Sequence, residues 1–347
     1  MKSSVKVVIP ATIVVMAATL WAGPTTPDPG AIRKLWKPYM KPIPKSALKH
    51  KADPKVIDLG RRLFFERALS PDQTRSCNDC HDLSRYGTNG DAAVKARTAG
   101  TLTRDVPSLY NRADLKLLCW DGARKDLRSQ TAAALTSSAE SAMSSKEAVV
   151  ARLNSMPRYR ERFKVAFNGD GEIAFKHVVD ALTTFQQGLV TRGPFDDFLL
   201  GDDKALSVEQ LKGAVLFDQK NCSACHTGSA IGGQMLQKAG IIKPWPNQKD
   251  QGHFNVSGNP EHKLVFRVPP LRNVVETAPY FHDYSSRSLR RAIRDITLHE
   301  QGMYLRFDEI LLIESFLKSF TGDLPGEYIK PPSDRDTAGD KVRGKRR

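Results

Sequence analysis

Mainly α, with two tandem and similar units, long loops and little strand, is the fold class this sequence predicts, and three observations predict it. Apolar residues recur at helical spacing in four stretches. One helix pattern stands twice, each time shortly before a Cys-x-x-Cys-His. Strand signals are few. A chain of 347 residues is long enough to bury two cores without disulfide staples.

In chain order, residues 1–22 read as a secretory signal: Lys2 and Lys6 precede the apolar run VVIPATIVVMAATLWA, and Ala22 offers a small residue for cleavage. The alternative is an uncleaved anchor, which the short run and its Pro10 disfavour. The mature chain is therefore expected to be periplasmic, with no stable membrane span. An extension, 23–50, leads into the first unit, 51–200. Its opening helix, DPKVIDLGRRLFF, has Asp53 as cap, Pro54 in the first turn and Val56, Leu59 and Leu63 on one face. Phe175, Val178, Leu182, Phe185 and Leu189 form a second core stripe. The second unit, 201–330, repeats the opening in SVEQLKGAVLF. There Ser207 and Gln210 make a capping box, Val208, Leu211 and Val215 line the face, and the Gly-x-x-Leu-Phe of 60–64 returns at 213–217. Ile310, Ile313, Phe316, Leu317 and Phe320 supply its second stripe. Segments 82–112 and 227–270 carry Gly and Pro and read as long covering loops. Residues 331–347 lack apolar anchors and read as a disordered basic tail.

The chain has five cysteines, and four of them stand in SCNDCH, 76–81, and NCSACH, 221–226. Vicinal disulfides would close tiny loops and leave both histidines unexplained. A four-thiolate zinc site would ignore the same histidines and bridge far more chain than a zinc ribbon spans. Only c-type haem uses every residue: Cys77, Cys80, Cys222 and Cys225 bond the porphyrin vinyls, while His81 and His226 bind iron. Two covalently bound haem c groups are expected. Cys119, between Leu118 and Trp120, reads as a buried structural thiol.

A formal charge of +15 suits an acidic partner steered by long-range attraction. It does not suit nucleic acid, because the charges are scattered and no aromatic-studded basic motif accompanies them.

From about Val56 to Pro325 the chain resembles the bacterial di-haem cytochrome c peroxidase family, including its MauG-like branch. The resemblance rests on LGRRLFFERALSPDQTRSCNDCHD, VPSLYNRA, CWDGARKDL, VVARLNSMPRYRERFKVAF, LVTRGPFDDFLLGD, GAVLFDQKNCSACHTG and FRVPPLRNVVETAPYFHDYS. It implies a cytochrome c-like haem domain in each half. The haem at Cys77 and Cys80 would meet hydrogen peroxide, and the haem at Cys222 and Cys225 would relay electrons. Trp120 would stand between the haems, Glu140 would be the proton-moving carboxylate of the peroxide pocket, and Asn111 would help hold a calcium ion with backbone carbonyls of 267–269. Their bland alternatives are a core tryptophan and a solvated helix glutamate. His282 is expected to support a haem edge or propionate, and Arg272 to pair with a propionate. His50, His177, His253 and His262 lack any motif and read as structural or solvated.

Two departures stand out. Segment 82–112 contains no histidine to cover the peroxide face, so that face is expected to be open without reductive activation. The family places Met, or Tyr in MauG-like members, about fourteen residues beyond the histidine of YFHD; here that position is Ile296, which cannot bind iron. His299 is the substitute the sequence offers, its alternative being a surface histidine. Three functions compete. The first is peroxide reduction with electrons from a small c-type cytochrome or cupredoxin, the second MauG-like oxidation of a partner protein, and the third electron transfer without catalysis. Family peroxidases are often homodimers, and no interface is legible in this sequence.

Overall fold

The computed structural model describes residues 26–90 and 103–333; the expected signal, the middle of the 82–112 loop and most of the expected tail lie outside the described residues. Helices α1 (Pro29–Trp36), α2 (Pro54–Phe64), the single turn α3 (Cys77–Cys80), α4 (Leu127–Ala134), α5 (Lys146–Asn154), α6 (Pro157–Phe167) and α7 (Phe175–Gln187) come first. They are followed by α8 (Pro194–Leu200), α9 (Val208–Gln219), the short α10 (Phe254–Ser257), α11 (Leu289–Gln301), α12 (Phe307–Lys318) and the short α13 (Gly326–Ile329). Strands β1 (Leu236–Lys238) and β2 (Val265–Arg267) pair antiparallel with Gln237 opposite Phe266, the only sheet among the described residues.

The expected helix starts are realised. Asp53 accepts from the Lys55 amide with Pro54 in the first turn of α2, and Ser207 and Gln210 close a capping box on α9. Val208 departs from expectation: it sits in the first turn and stays exposed, because the buried face begins at Leu211.

Two helix pairs have the same geometry. α2 packs on α7, and α9 on α12. A Cβ on Gly60 would lie 2.0 Å from the Ala181 carbonyl oxygen and 2.8 Å from Phe185 Cβ. One on Gly213 would lie 2.0 Å from the Leu312 oxygen and 2.8 Å from Phe316 Cβ. The following phenylalanine then meets the same partner in both pairs: Phe64–Phe185 and Phe217–Phe316 centroids are each 5.5 Å apart. The repeated glycine thus lets two backbones touch. Alanine normally stabilises a helix interior by about 0.8–1.0 kcal/mol over glycine. At Gly60 or Gly213 the sign should reverse, with a loss of about 1–3 kcal/mol from overpacking, read as a lower denaturant midpoint.

Each pair seeds an apolar cluster. Leu59, Leu63 and Phe64 join Val178, Leu182 and Phe185 in one; Leu211, Val215 and Phe217 join Ile313, Phe316 and Phe320 in the other. Membership does not follow chain order strictly. Trp36 of α1 and Phe195 of α8 belong to the second cluster, their rings 6.2 Å apart and edge to face, while Tyr328 and Ile329 return to the first.

A polar clasp joins the halves. Thr191 donates its amide to Asn111 Oδ1 (3.0 Å) and accepts at its hydroxyl from Asn111 Nδ2 and Asn273 Nδ2 (2.9 Å each). Both asparagines have left-handed backbones, φ 59° and 61°. They close equivalent sequences, VPSLYN and VPPLRN, a second internal repeat.

Candidate active site

The second Cys-x-x-Cys-His opens on a largely apolar cavity of about 410 Å³, within the range of cofactor pockets, ~300–1,000 Å³. Cys222, Cys225 and His226 line it, with Phe217 behind them. Segment 266–272 and the ring of Trp245 form further wall, and α11 contributes another.

Both motif histidines are held alike. His81 Nδ1 donates to the Gly87 carbonyl at 3.0 Å, and His226 Nδ1 to the Ile231 carbonyl at 3.2 Å. With Nδ1–H committed, Nε2 keeps its lone pair for a metal, and the bond makes that nitrogen more basic. Burial pushes both imidazoles down to about 4, so each is neutral at pH 7. Burial also drives the Cys77 and Cys222 thiols up to about 12. The four motif sulfurs form no disulfide, and no three His, Cys, Asp or Glu side chains converge as a metal site among the described residues. That geometry leaves the zinc reading without support.

Trp120 is buried in the wall of the second cavity, its Nε1 donating to the Asp105 carbonyl at 2.9 Å. His282 stands beside it, centroids 6.2 Å apart, and stacks on Phe266 at 4.1 Å. The preceding residue looks the other way. Cys119, left-handed at φ 63°, donates its thiol to Gln130 Oε1 at 2.9 Å, and Gln130 Nε2 lies 3.5 Å from each Glu140 oxygen. Glu140 is close enough to both cysteines of the first motif for its charge to raise their pKa values. The Glu140 side chain borders open space, yet the protein packed around it raises its own carboxyl, with Gln130 and Arg124 pulling partly back.

A family described as di-haem cytochrome c peroxidase matches residues 54–204. A cytochrome c551 peroxidase of Nitrosomonas europaea is 38% identical over 288 residues, 81% of this chain and 85% of that protein. The cytochrome c551 peroxidase of Pseudomonas aeruginosa is 34% identical, covering 86% and 88%. The chain belongs to the di-haem cytochrome c peroxidase family. A solved MauG-like protein associated with microbial copper homeostasis shares the fold, with a TM-score of 0.69 at 24% identity over 85% of this chain and 97% of that one.

Family membership implies haem c, and the residues of this di-haem peroxidase relative fit it. Besides the sulfurs and free Nε2 positions, the second cavity holds two arginines that the sequence reading missed. Arg112 and Arg267 are almost wholly buried, and burial lowers them to about 9 and about 10, with Arg267 further depressing Arg112. Arg267 Nη1 has no partner among the described residues. Two under-compensated guanidinium groups suit the carboxylates of a porphyrin. Their only signal in the sequence was the repeat VPSLYNR and FRVPPLRN, with an arginine just after one copy and just before the other.

Other expected residues are placed differently. Arg272 reaches the cavity but binds Asp196 through both Nη atoms at 2.7 Å, so it is not free for a propionate. Asn111 spends its amide on Thr191 rather than gathering oxygens for calcium. His299, the substitute ligand, is not brought to the cavity: its Nδ1 is bonded to the Lys243 carbonyl at 3.1 Å and its ring packs on Trp245. One residue earlier or later on a helix changes direction by about 100°, and Ile296, Thr297 and Glu300 are the side chains α11 turns inward. His282 does stand at the cavity edge, with Nε2 buried and without a partner among the described residues.

Proposed function

We propose that this chain is an exported enzyme that reduces hydrogen peroxide to two waters with electrons from a small acidic redox protein, a c-type cytochrome or cupredoxin. One haem c would be held by Cys77, Cys80 and His81 in the unit 51–200, and the other by Cys222, Cys225 and His226 in the unit 201–330. The observation that carries this reading is one short segment with two faces. Cys119 points toward Gln130 and Glu140 beside the first motif, and Trp120 lies in the wall of the second cavity.

When bound, the haem irons supply the oxidation–reduction chemistry: one peroxide, two electrons and two protons give two waters. Glu140 takes the proton from one peroxide oxygen and delivers it to the other, so that water rather than hydroxide departs. Its raised pKa brings it nearer to working pH as both acceptor and donor. His81, locked by Gly87, presents a neutral and basic Nε2. Trp120 offers an indole between the two halves, dividing one long electron path into shorter ones. The basic surface draws in the donor, so turnover should fall steeply as salt rises.

The test uses the exported holoprotein. Its mass should carry two haem groups on the motif cysteines, and peroxide should oxidise a reduced acidic cytochrome steadily. A chain without haem ends the reading. Oxidation confined to side chains of a partner protein replaces it with the MauG-like alternative.

A further inference from the structure

The second cavity has a wall that family membership does not explain. His226 is tied on its Nδ1 side to Ile231, with the Pro269 backbone also against it. Residues 269–271 therefore border His226, with Leu271 donating its amide to the same Ile231 carbonyl. His282, stacked flat on Phe266, stands at the cavity edge. The other wall is α11, which turns Ala292, Ile293, Ile296, Thr297 and Glu300 inward. None of the first four has an atom that binds haem iron well. His299, on the same helix, does not line the cavity.

Yet this apolar wall ends in polar atoms with nothing to meet. Glu300 accepts from the Gly240 amide at 2.7 Å with one oxygen, while its other oxygen is buried and without a partner among the described residues. Gln301 Oε1 is likewise buried and without a partner among the described residues, and both residues line the cavity. Glu300 lies one helical turn beyond Ile296 and near enough to Cys225 for its charge to raise that thiol. It stands to the second motif much as Glu140 stands to the first. Buried polar groups without partners mark a place where a further molecule completes the hydrogen bonding.

We propose that the second haem site is itself a small-ligand site: the face of the iron opposite His226 takes no protein side chain and admits a ligand of peroxide or halide size over Ile296, within hydrogen-bonding reach of Glu300 and Gln301. The proposal rests on a haem at Cys222 and Cys225, as argued above. It gives the chain two open irons, each with a glutamate beside its Cys-x-x-Cys-His motif.

Fluoride is the probe, because it binds ferric haem at an open position and displaces strong protein ligands poorly. Titrated into the ferric holoprotein, with haem content established by mass, fluoride should bind twice per chain, and electron paramagnetic resonance should show both irons high-spin beforehand. Ile296→Met introduces a thioether at the inward position. It should convert one iron to low-spin and reduce fluoride binding from two per chain to one, with both haems still attached. A two-haem wild-type chain that binds a single fluoride and already contains one low-spin iron overturns the proposal, whichever side chain supplies the ligand. A chain whose mass shows haem only on Cys77 and Cys80 removes instead the reading beneath it.

Discussion

Replacing Glu140 with glutamine is expected to slow peroxide reduction by roughly 10²–10⁴-fold, the usual contribution of a positioned acid–base group, while both haems stay attached. Glutamine keeps the shape and can still meet Gln130, but it cannot take a proton from one peroxide oxygen and pass it to the other. The pH profile gives a sharper check. A carboxylate acts as base only when ionised, and burial raises this one above the ordinary glutamate value of about 4.3. Activity should therefore fall as pH drops through that raised pKa, giving an acid limb above the usual carboxylate range. The glutamine variant should lack the limb, and Glu140→Asp should retain it at reduced rate because the carboxylate is withdrawn by one methylene. An unchanged rate in the glutamine variant would show that protons move by another group.

Asp196→Ala should destabilise the fold by about 3–5 kcal/mol, the loss expected when one partner of a buried ion pair is removed. Asp196 and Arg272 are both essentially inaccessible, their side chains 0% and 2% exposed. Asp196 also accepts from the Gly193 amide at 2.9 Å, capping α8, and from the Ile43 amide at 2.7 Å, which ties the N-terminal extension to the second core. Its removal strands a guanidinium in the interior and leaves two amides unpaired. Adding Arg272→Met should recover part of the loss, since an apolar side chain of similar length needs no counter-charge. The measurement is the denaturant midpoint of the single and double variants at unchanged slope. Equal midpoints for wild type and Asp196→Ala would mean that the pair is solvated in solution.

Much of this molecule was legible because its signals are local. A capping box spans four residues, a helical stripe repeats within a few turns, and Cys-x-x-Cys-His needs only five neighbours. The interpretable failures all concern direction across space. Arg272 looked free because its partner, Asp196, lies 76 residues away. His299 looked like a ligand because sequence spacing counts residues and not degrees of rotation, and α11 points Ile296 and Glu300 inward instead. Asn111 looked like a calcium donor because nothing near it in the chain reveals Thr191, 80 residues on. Arg112 and Arg267 were marked only by their places beside the VPSLYN and VPPLRN repeat, since an arginine on paper is a surface residue until packing buries it.

By itself, the sequence determined the mainly helical class and the helix pattern repeated before each Cys-x-x-Cys-His, and it pointed to haem c, because periodicity, caps and thiol–imidazole spacing are short-range properties of a chain. Only the tertiary structure decided which buried charges are paired, which glycines carry backbone contact, and which face of α11 meets the second motif. Those depend on contacts between segments distant in sequence, where burial turns an ordinary polar group into a constraint that some partner must satisfy.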